Sequence, residues 1–267
     1  MLYLSQLLNT KIRDNSDRVV GRLKDLLVYP KSGEYPPLEF LAVKIKGRKT
    51  LDFIPYEYVE NFSHDAIDLK YLFSKIPFQK TVSGKFLWLK KYVLDQQIVD
   101  LKGQRVVRVN DLRIGHFEDE MCVLGIDIST KGLLRRLGIE WLDFFDMLHV
   151  DLIDWRDAQP IHGILKLDTA VKNLESIHTD KLANIIEDLN HVHQEKITNA
   201  LTLQKAANVF ERVTPELQNI LIKHWGAKKA SKILSRVSIK QVVNLIKKLP
   251  KDEAEIIMSS LKEKHEI

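Results

Sequence analysis

The sequence predicts an α+β multidomain protein: two small β-barrels at residues 1–80 and 88–162, then an α-helical superhelix of short helices at residues 165–267. Three observations carry that reading. First, Leu8–Val28 (LNTKIRDNSDRVVGRLKDLLV) returns 86 residues later as Leu94–Ile114 (LDQQIVDLKGQRVVRVNDLRI), without a gap. Seven of the 21 positions are identical, among them Ile12/Ile98, Asp14/Asp100, Arg22/Arg108 and Asp25/Asp111. Such self-similarity marks one small unit built twice. Second, both copies alternate apolar and polar residues, the period of a strand. Third, from about Leu165 the apolar period lengthens to that of a helix, and Gly226 is the single glycine after Gly163.

Each copy opens with a hairpin. Ile12 or Ile98 precedes a turn, Asp14-Asn15-Ser16-Asp17 or Asp100-Leu101-Lys102-Gly103, and Val20 or Val106 follows it. In the second copy Val107 and Val109 alternate with Arg108 and Asn110, and β-branched residues dominate. A third strand is predicted at Phe40–Lys46 and at Met121–Ile128. The copies also agree at their ends, where Ile54–Val59 corresponds to Ile153–Ala158. The offset there is 99 rather than 86, so the second copy carries an insertion between Ile128 and Asp151.

The run Leu94 to Leu112, with its Ile98-Val99-Asp100, Gly103 and Val106-Val107-Arg108-Val109-Asn110-Asp111-Leu112, resembles the opening of a PRC-barrel domain. The first copy departs from that pattern, having Asp17 at the turn glycine and Gly21 within the strand. The resemblance covers about residues 5–62 and 92–161. It implies small β-barrels used for docking and assembly, and it implies no catalytic residues.

Within the insertion, Leu133, Leu134, Leu137, Trp141, Leu142, Phe144, Phe145 and Leu148 recur near helical spacing. They predict an amphipathic helix near 131–148 that caps the second barrel. The alternative is that Trp141, Phe144 and Phe145 form a surface that docks a partner or a bilayer face.

In the last part of the chain, Leu182–Leu189, Ala206–Val213, Ala230–Val237 and Val242–Leu249 share one apolar pattern. The first three starts are evenly spaced, and the fourth follows at half that interval. Lys196–Leu203 and Leu217–Trp225 lie between the first three. Short helices stacked on their neighbours account for this rhythm. Thr179, Thr214 ahead of Pro215, and Ser238 are the expected caps, and Pro250 separates the last two helices. Ile177–Leu189 (IHTDKLANIIEDL) resembles the first repeat of the cytosolic N domain of MgtE magnesium transporters at His178, Ala183, Ile185, Glu187, Asp188 and Leu189. The resemblance covers about residues 165–267; the helical domains of the flagellar-motor protein FliG are similar in rhythm. In the transporters this domain is acidic and shares magnesium ions with CBS domains. The resemblance therefore implies Mg2+ as the cofactor to consider, with Asp180, Glu187 and Asp188 as its candidate ligands. This chain departs from that pattern: Lys181 and Asn184 replace acidic positions, no CBS domain is recognisable, and the repeats that follow are basic.

Composition bounds the remaining possibilities. Hydrophobic residues are 45% and charged residues 29%, as in a soluble globular protein, and no apolar run is long enough to span a bilayer. The start, MLYLSQLLNTKIRD, lacks the marks of a secretory signal, and the lone Cys122 fits a reducing compartment. A cytoplasmic location is expected, with peripheral attachment at the inner face of the membrane as a variant. Net charge is +5, and the excess is local: eleven Lys/Arg between Lys205 and Lys251 face only Glu211 and Glu216. Lys228, Lys229, Lys232, Arg236, Lys247 and Lys248 make up the predicted basic face. His191 and His193 could form a transition-metal site only from an extended loop, since i and i+2 diverge on a helix, and they are expected to be exposed loop histidines. The sequence holds no Gly-rich phosphate loop, nucleophile elbow or zinc-spaced Cys/His set, so no enzymatic activity is predicted. The expected function is that of a regulatory adaptor with a protein partner, a divalent metal-ion (magnesium or manganese) transporter or its cytosolic domain. The alternative is a ribosome- or RNA-associated assembly factor that uses nucleic acid as partner through the basic face.

Overall fold

The computed structural model describes residues 2–30, 34–143, 147–160 and 174–247, together with 254, 255 and 258. The chain divides into two compact units. A β unit holds residues 1–100 and 107–162, and a helical unit holds residues 163–267 with 101–106.

The first copy in the β unit comprises β1 (Leu2–Tyr3), the one-turn helix α1 (Leu4–Leu7), β2 (Lys11–Arg13), β3 (Val19–Val28), β4 (Leu38–Ile45), β5 (Asp52–Pro55), β6 (Val59–Phe62) and β7 (Ala66–Leu69). The second comprises β8 (Leu87–Trp88), α2 (Leu89–Tyr92), β9 (Gln97–Asp100), β10 (Arg105–Arg108), β11 (Asp111–Phe117), β12 (Glu120–Asp127), α3 (Thr130–Leu137), β13 (Leu152–Asp154) and β14 (Ala158–Pro160). The registers of the copies agree residue by residue. Asp25, Leu26, Leu27 and Val28 lie opposite Ala42, Leu41, Phe40 and Leu38. Asp111, Leu112, Arg113 and Ile114 lie opposite Asp127, Ile126, Gly125 and Val123, with a bulge at the same place. Ile54 and Ile153 likewise occupy equivalent positions, opposite Leu41 and Ile126.

The copies exchange their first strands. β1 pairs with β11 of the second copy, Leu2 opposite Ile114, and β8 pairs with β3 of the first, Leu87 opposite Val28. The repeated aspartates hold the exchanged segments. The Asp111 carboxylate accepts hydrogen bonds from Ser5 N (3.1 Å) and Ser5 Oγ (2.5 Å), at the start of α1. Asp25 accepts from Lys90 N (2.7 Å) and Lys91 N (3.1 Å), at the start of α2. Each also accepts from the following amide, Leu112 or Leu26, at 2.8 Å. Each aspartate thus satisfies orphan N–H groups of a helix that belongs to the other copy. Pro37 bridges Cys122, its own equivalent in the second copy, and Val123 N donates to Pro36 O (3.1 Å). A local two-fold axis therefore passes between Pro37 and Cys122. One core spans both copies, with Leu4, Leu7, Ile12, Leu23 and Leu26 packed into the same cluster as Leu112, Ile114, Val123 and Ile126.

The expected barrels are not formed: no sheet closes among the described residues. One sheet runs β5-β4-β3-β2-β7-β6 with β8 added on β3, a second runs β1-β11-β12-β13, and β9 pairs with β14 in a smaller one. The break in the second copy has a local cause. Asn110 N donates to Asp127 O (2.9 Å), and Asn110 Nδ2 donates to Ile128 O and Ser129 O (both 3.0 Å), which splits the strand that is continuous as β3. In the first copy β7 lies parallel to β2 and antiparallel to β6, and so separates the strands whose equivalents, β9 and β14, pair directly.

The insertion helix is shorter than expected. α3 is capped by Ser129 Oγ, which accepts from Gly132 N (3.0 Å). It stops at Gly138, whose φ of 70° gives a left-handed end with bonds to Arg135 O and Leu134 O. A single 3₁₀ turn, Glu140–Leu142, follows.

The helical unit contains α4 (Thr179–Asp188), α5 (His191–Ala200), α6 (Leu203–Phe210), α7 (Pro215–Leu234) and α8 (Ile239–Ile246). Their N-caps are His178, Asn190, Thr202, Thr214 and Ser238, evenly spaced except for the last step, which is twice as long. At the midpoint of that step stands Gly226, with φ 67° and ψ 164°, and it breaks α7 into two helices. The repeat is therefore a single short helix with its cap, and the wider spacing of the apolar runs in the sequence reflects every second helix. Ile177, Leu189, Leu201, Val213, Trp225 and Val237 recur at the interval of the caps and all are buried. The expected caps Thr214 and Ser238 are found. Thr179 is instead the first helical residue, and His178 is the cap.

Candidate functional site

A second device repeats with the helices. Glu175 accepts from Thr202 N (2.6 Å), Glu187 from Thr214 N (2.6 Å) and Glu211 from Ser238 N (2.7 Å), each across 27 residues. Each glutamate stands three residues before a helix cap and binds the cap amide of the next helix but one. The stacked helices are thereby clamped in pairs by charge-assisted hydrogen bonds. At the third position of the series, between Glu187 and Glu211, stands Asn199, and Gly226 takes the matching cap. There Lys229 Nζ donates to Asn199 Oδ1 (2.7 Å) and O (3.3 Å), and burial pulls its ammonium pKa down.

This arrangement decides what the proposed magnesium ligands do. Asp180, in the first turn of α4, pairs with Arg212 Nη1 (2.5 Å), and His178 Nδ1 lies 3.4 Å from its other oxygen. Glu187 is engaged by Thr214 N. Asp188 is exposed and makes a contact of its own. The three do not converge, and among the described residues no group of three or more His, Cys, Asp or Glu side chains could hold a metal ion. A hard divalent cation needs several oxygens within one shell.

His191 and His193 lie on α5 rather than on a loop. Asn190 Oδ1 accepts from His193 N (3.0 Å), which starts the helix here, and His193 is buried beneath it. His191 Nδ1 contacts Gln194 Oε1 (2.9 Å). Of the basic residues, Lys228, Lys232, Arg236 and Lys247 are exposed, while Lys229 is half-buried against Asn199. Arg236 Nη1 donates to Lys232 O (2.8 Å) across one turn. Lys248 lies outside the described residues.

In the β unit, Trp141 sits on the 3₁₀ turn and is 64% exposed, and Leu137 and Met147 are exposed as well. Phe144 and Phe145 lie outside the described residues. What sequence reasoning missed is the buried charge beneath α3. Arg135 Nη1 reaches Asp127 Oδ2 (3.1 Å) and Asp111 Oδ2 (3.4 Å), its Nε reaches Glu140 Oε1 (3.1 Å), and its guanidinium lies 3.5 Å over the Tyr3 ring. Gly132 lets the helix approach: a Cβ there would sit 2.6 Å from Asp127 Cγ. The first copy has Ala42 where the second has Asp127, and no side chain there forms an ion pair with Asp25 among the described residues, the Lys90 charge acting only weakly. Burial there outweighs the three N–H bonds and pushes the Asp25 carboxyl up to about 6. The repeat of Asp25 at Asp111 was the available signal, and the partner arginine had none.

The helical unit is thus a stack of short, amide-clamped helices at an even repeat. Its sequence names it more closely: residues 177–266 match the model of the MgtE intracellular N domain, and this part of the chain is such a domain. No curated protein matches the chain. Among the described residues no helix is long and apolar enough to cross a membrane.

Proposed function

We propose that the protein is a non-enzymatic regulatory adaptor that docks on, or modulates, a divalent metal-ion transporter from the cytosolic side. The MgtE intracellular N domain at residues 177–266 is the observation that supports this reading. The helical stack offers rigid, repeated surface of the kind used to hold another protein. The β unit, read as a PRC-type docking module, would supply a second surface. Since Asp180 and Glu187 are engaged in internal bonds, magnesium would be sensed on the transporter and read by this protein through contact. Asp188 would then be a surface residue of that contact.

Cross-linking in cells, followed by detergent extraction of a tagged full-length chain and mass spectrometry, tests the proposal. Enrichment of a magnesium or manganese transporter, cross-linked to residues 177–247, is the expected result. Recovery of ribosomal proteins and RNA through Lys228, Lys232 and Arg236, with binding that falls steeply as salt rises, would overturn it in favour of an RNA-associated factor.

A further inference from the structure

The two-fold axis of the β unit relates two places that are filled differently. Beside the second copy, Tyr35 reaches across the axis. Its hydroxyl donates to Asp154 Oδ2 (2.6 Å), its ring packs on Phe117 with centroids 4.8 Å apart, and the Arg156 guanidinium stacks 4.7 Å above it. Arg156 also pairs with both Asp154 oxygens, at 2.9 and 3.0 Å. Ring and guanidinium fill this place from within.

The strand registers identify the mate of each residue. Pro55 corresponds to Asp154, and Glu57, two residues on, to Arg156; Glu39 corresponds to Leu124 and, counted from the Pro37–Cys122 bridge, Glu120 to Tyr35. In the first copy the place is open. It is a pocket of about 450 Å³ whose lining includes Phe40, Tyr56, Glu39, Glu57, Asp119 and Glu120. Where the filled place has a ring, a cation and a leucine, the open one has three carboxylates, with Asp119 as a fourth. Among the described residues none of these four forms an ion pair, and the rings of Phe40 and Tyr56 remain in the wall. No group here could hold a metal ion among the described residues.

We propose that this pocket receives an arginine side chain of a partner protein, which takes from outside the place that Tyr35 and Arg156 occupy from within. Four like charges facing one cavity repel until a cation enters. A guanidinium matches the pocket better than an ammonium, because it stacks on aromatic rings and meets two carboxylates with its planar fork. The inference stands on the β unit alone and does not depend on the transporter reading.

The test uses the full-length chain and calorimetry with a capped peptide, acetyl-Gly-Ser-Arg-Ser-Gly-amide. Saturable binding is expected, with at least tenfold weaker binding when citrulline replaces the arginine. The double variant Glu57→Arg/Glu120→Tyr transplants the filled place into the open one and should lose at least tenfold in affinity without lowering the thermal midpoint. If that variant does not fold, Glu57→Gln gives the same reading with a smaller loss, and Glu60→Gln, outside the pocket, should stay within twofold of the parent. Equal binding of the citrulline peptide, unchanged affinity in the pocket variants, or no binding at millimolar peptide would overturn the proposal. Free arginine amide binding as tightly as the peptide would overturn the protein source.

Discussion

At the scale of single residues, burial raises the carboxyl of both repeated aspartates, and different neighbours oppose it. Asp111 is buried against Arg135, whereas Asp25 is held by three backbone N–H donors, with the Lys90 charge a lesser influence. With its carboxyl held up to about 6, against 3.8 for the ordinary group, Asp25 keeps a proton in the folded chain that the unfolded chain releases. Between those values the folded state binds more protons, so its stability falls as pH rises from about 4 to about 6. Asp25→Asn should remove that slope and reduce the stability difference between pH 4 and pH 7 by on the order of 2–3 kcal/mol, read from urea unfolding. An unchanged slope would mean that Asp25 is ionised in the folded chain. Replacing Arg135 by Met strands two buried carboxylates. A loss of about 3–5 kcal/mol at pH 7 is expected. The loss should shrink toward acid pH, where Asp111, already raised by burial, can take up a proton.

At the scale of the element, the helices are set by an even period that the sequence shows only in part. The apolar runs beginning at Leu182, Ala206, Ala230 and Val242 reveal the stack, and Thr214 and Ser238 reveal two caps, because these are local signals. His178 is hidden because its side chain makes no capping bond, so the neighbouring Thr179 looks the better candidate. The glutamate clamps are hidden because each joins residues 27 apart, and nothing in the hydrophobic pattern marks them. Glu187→Ala should therefore destabilise the unit by about 1 kcal/mol, with added amide exchange at the start of α7. Gly226→Ala forces an L residue to φ 67° with no steric obstacle nearby. It should cost about 1–3 kcal/mol by strain alone, measurable as a lowered thermal midpoint, and Gly226→Asn should cost as much, because ψ 164° lies outside the left-handed helical region that asparagine tolerates. In the insertion, the apolar spacing from Leu133 to Leu148 suggests one long helix, and the left-handed turn at Gly138 overrides that pattern. A glycine inside such a pattern is the local warning that the helix ends early.

At the scale of the whole molecule, the duplication was legible and its assembly was not. Strand alternation and the identities at Ile12/Ile98 and Asp25/Asp111 locate the two copies and their hairpins. Phe40–Lys46 and Met121–Ile128 anticipate β4 and β12 to within two residues. Closure into barrels is the expectation when each copy is considered alone. The exchanged pairings of β1 with β11 and β8 with β3 are long-range contacts with no sequence signature. They predict that removing residues 2–7 damages the second copy most. That deletion strips β11 of an edge strand and leaves Asp111 without Ser5, so amide exchange should accelerate along β11 and β12 more than along β3 and β4. The open pocket was legible only in part: the acidic hairpin loop at His116–Glu120 suggests a weak cation site, but Glu39 and Glu57 lie elsewhere in the chain and look like ordinary surface charges until the axis aligns them with Leu124 and Arg156.

The exchange of first strands also bears on the order in which the chain can acquire its shape during synthesis. The first copy is complete in sequence by about Leu69, yet β3 has no Leu87–Trp88 to pair with and Asp25 has no Lys90 amide to bind until the second copy has begun to emerge. Leu2–Leu7, made well before the second copy, must wait for Asp111. The nascent first copy therefore carries an unfilled sheet edge, a buried-to-be carboxylate and an unpaired apolar segment until most of the second copy has been made. A chain of this design matures as a pair or not at all, and the interval before pairing is when it is most exposed to aggregation and to whatever chaperone attends it.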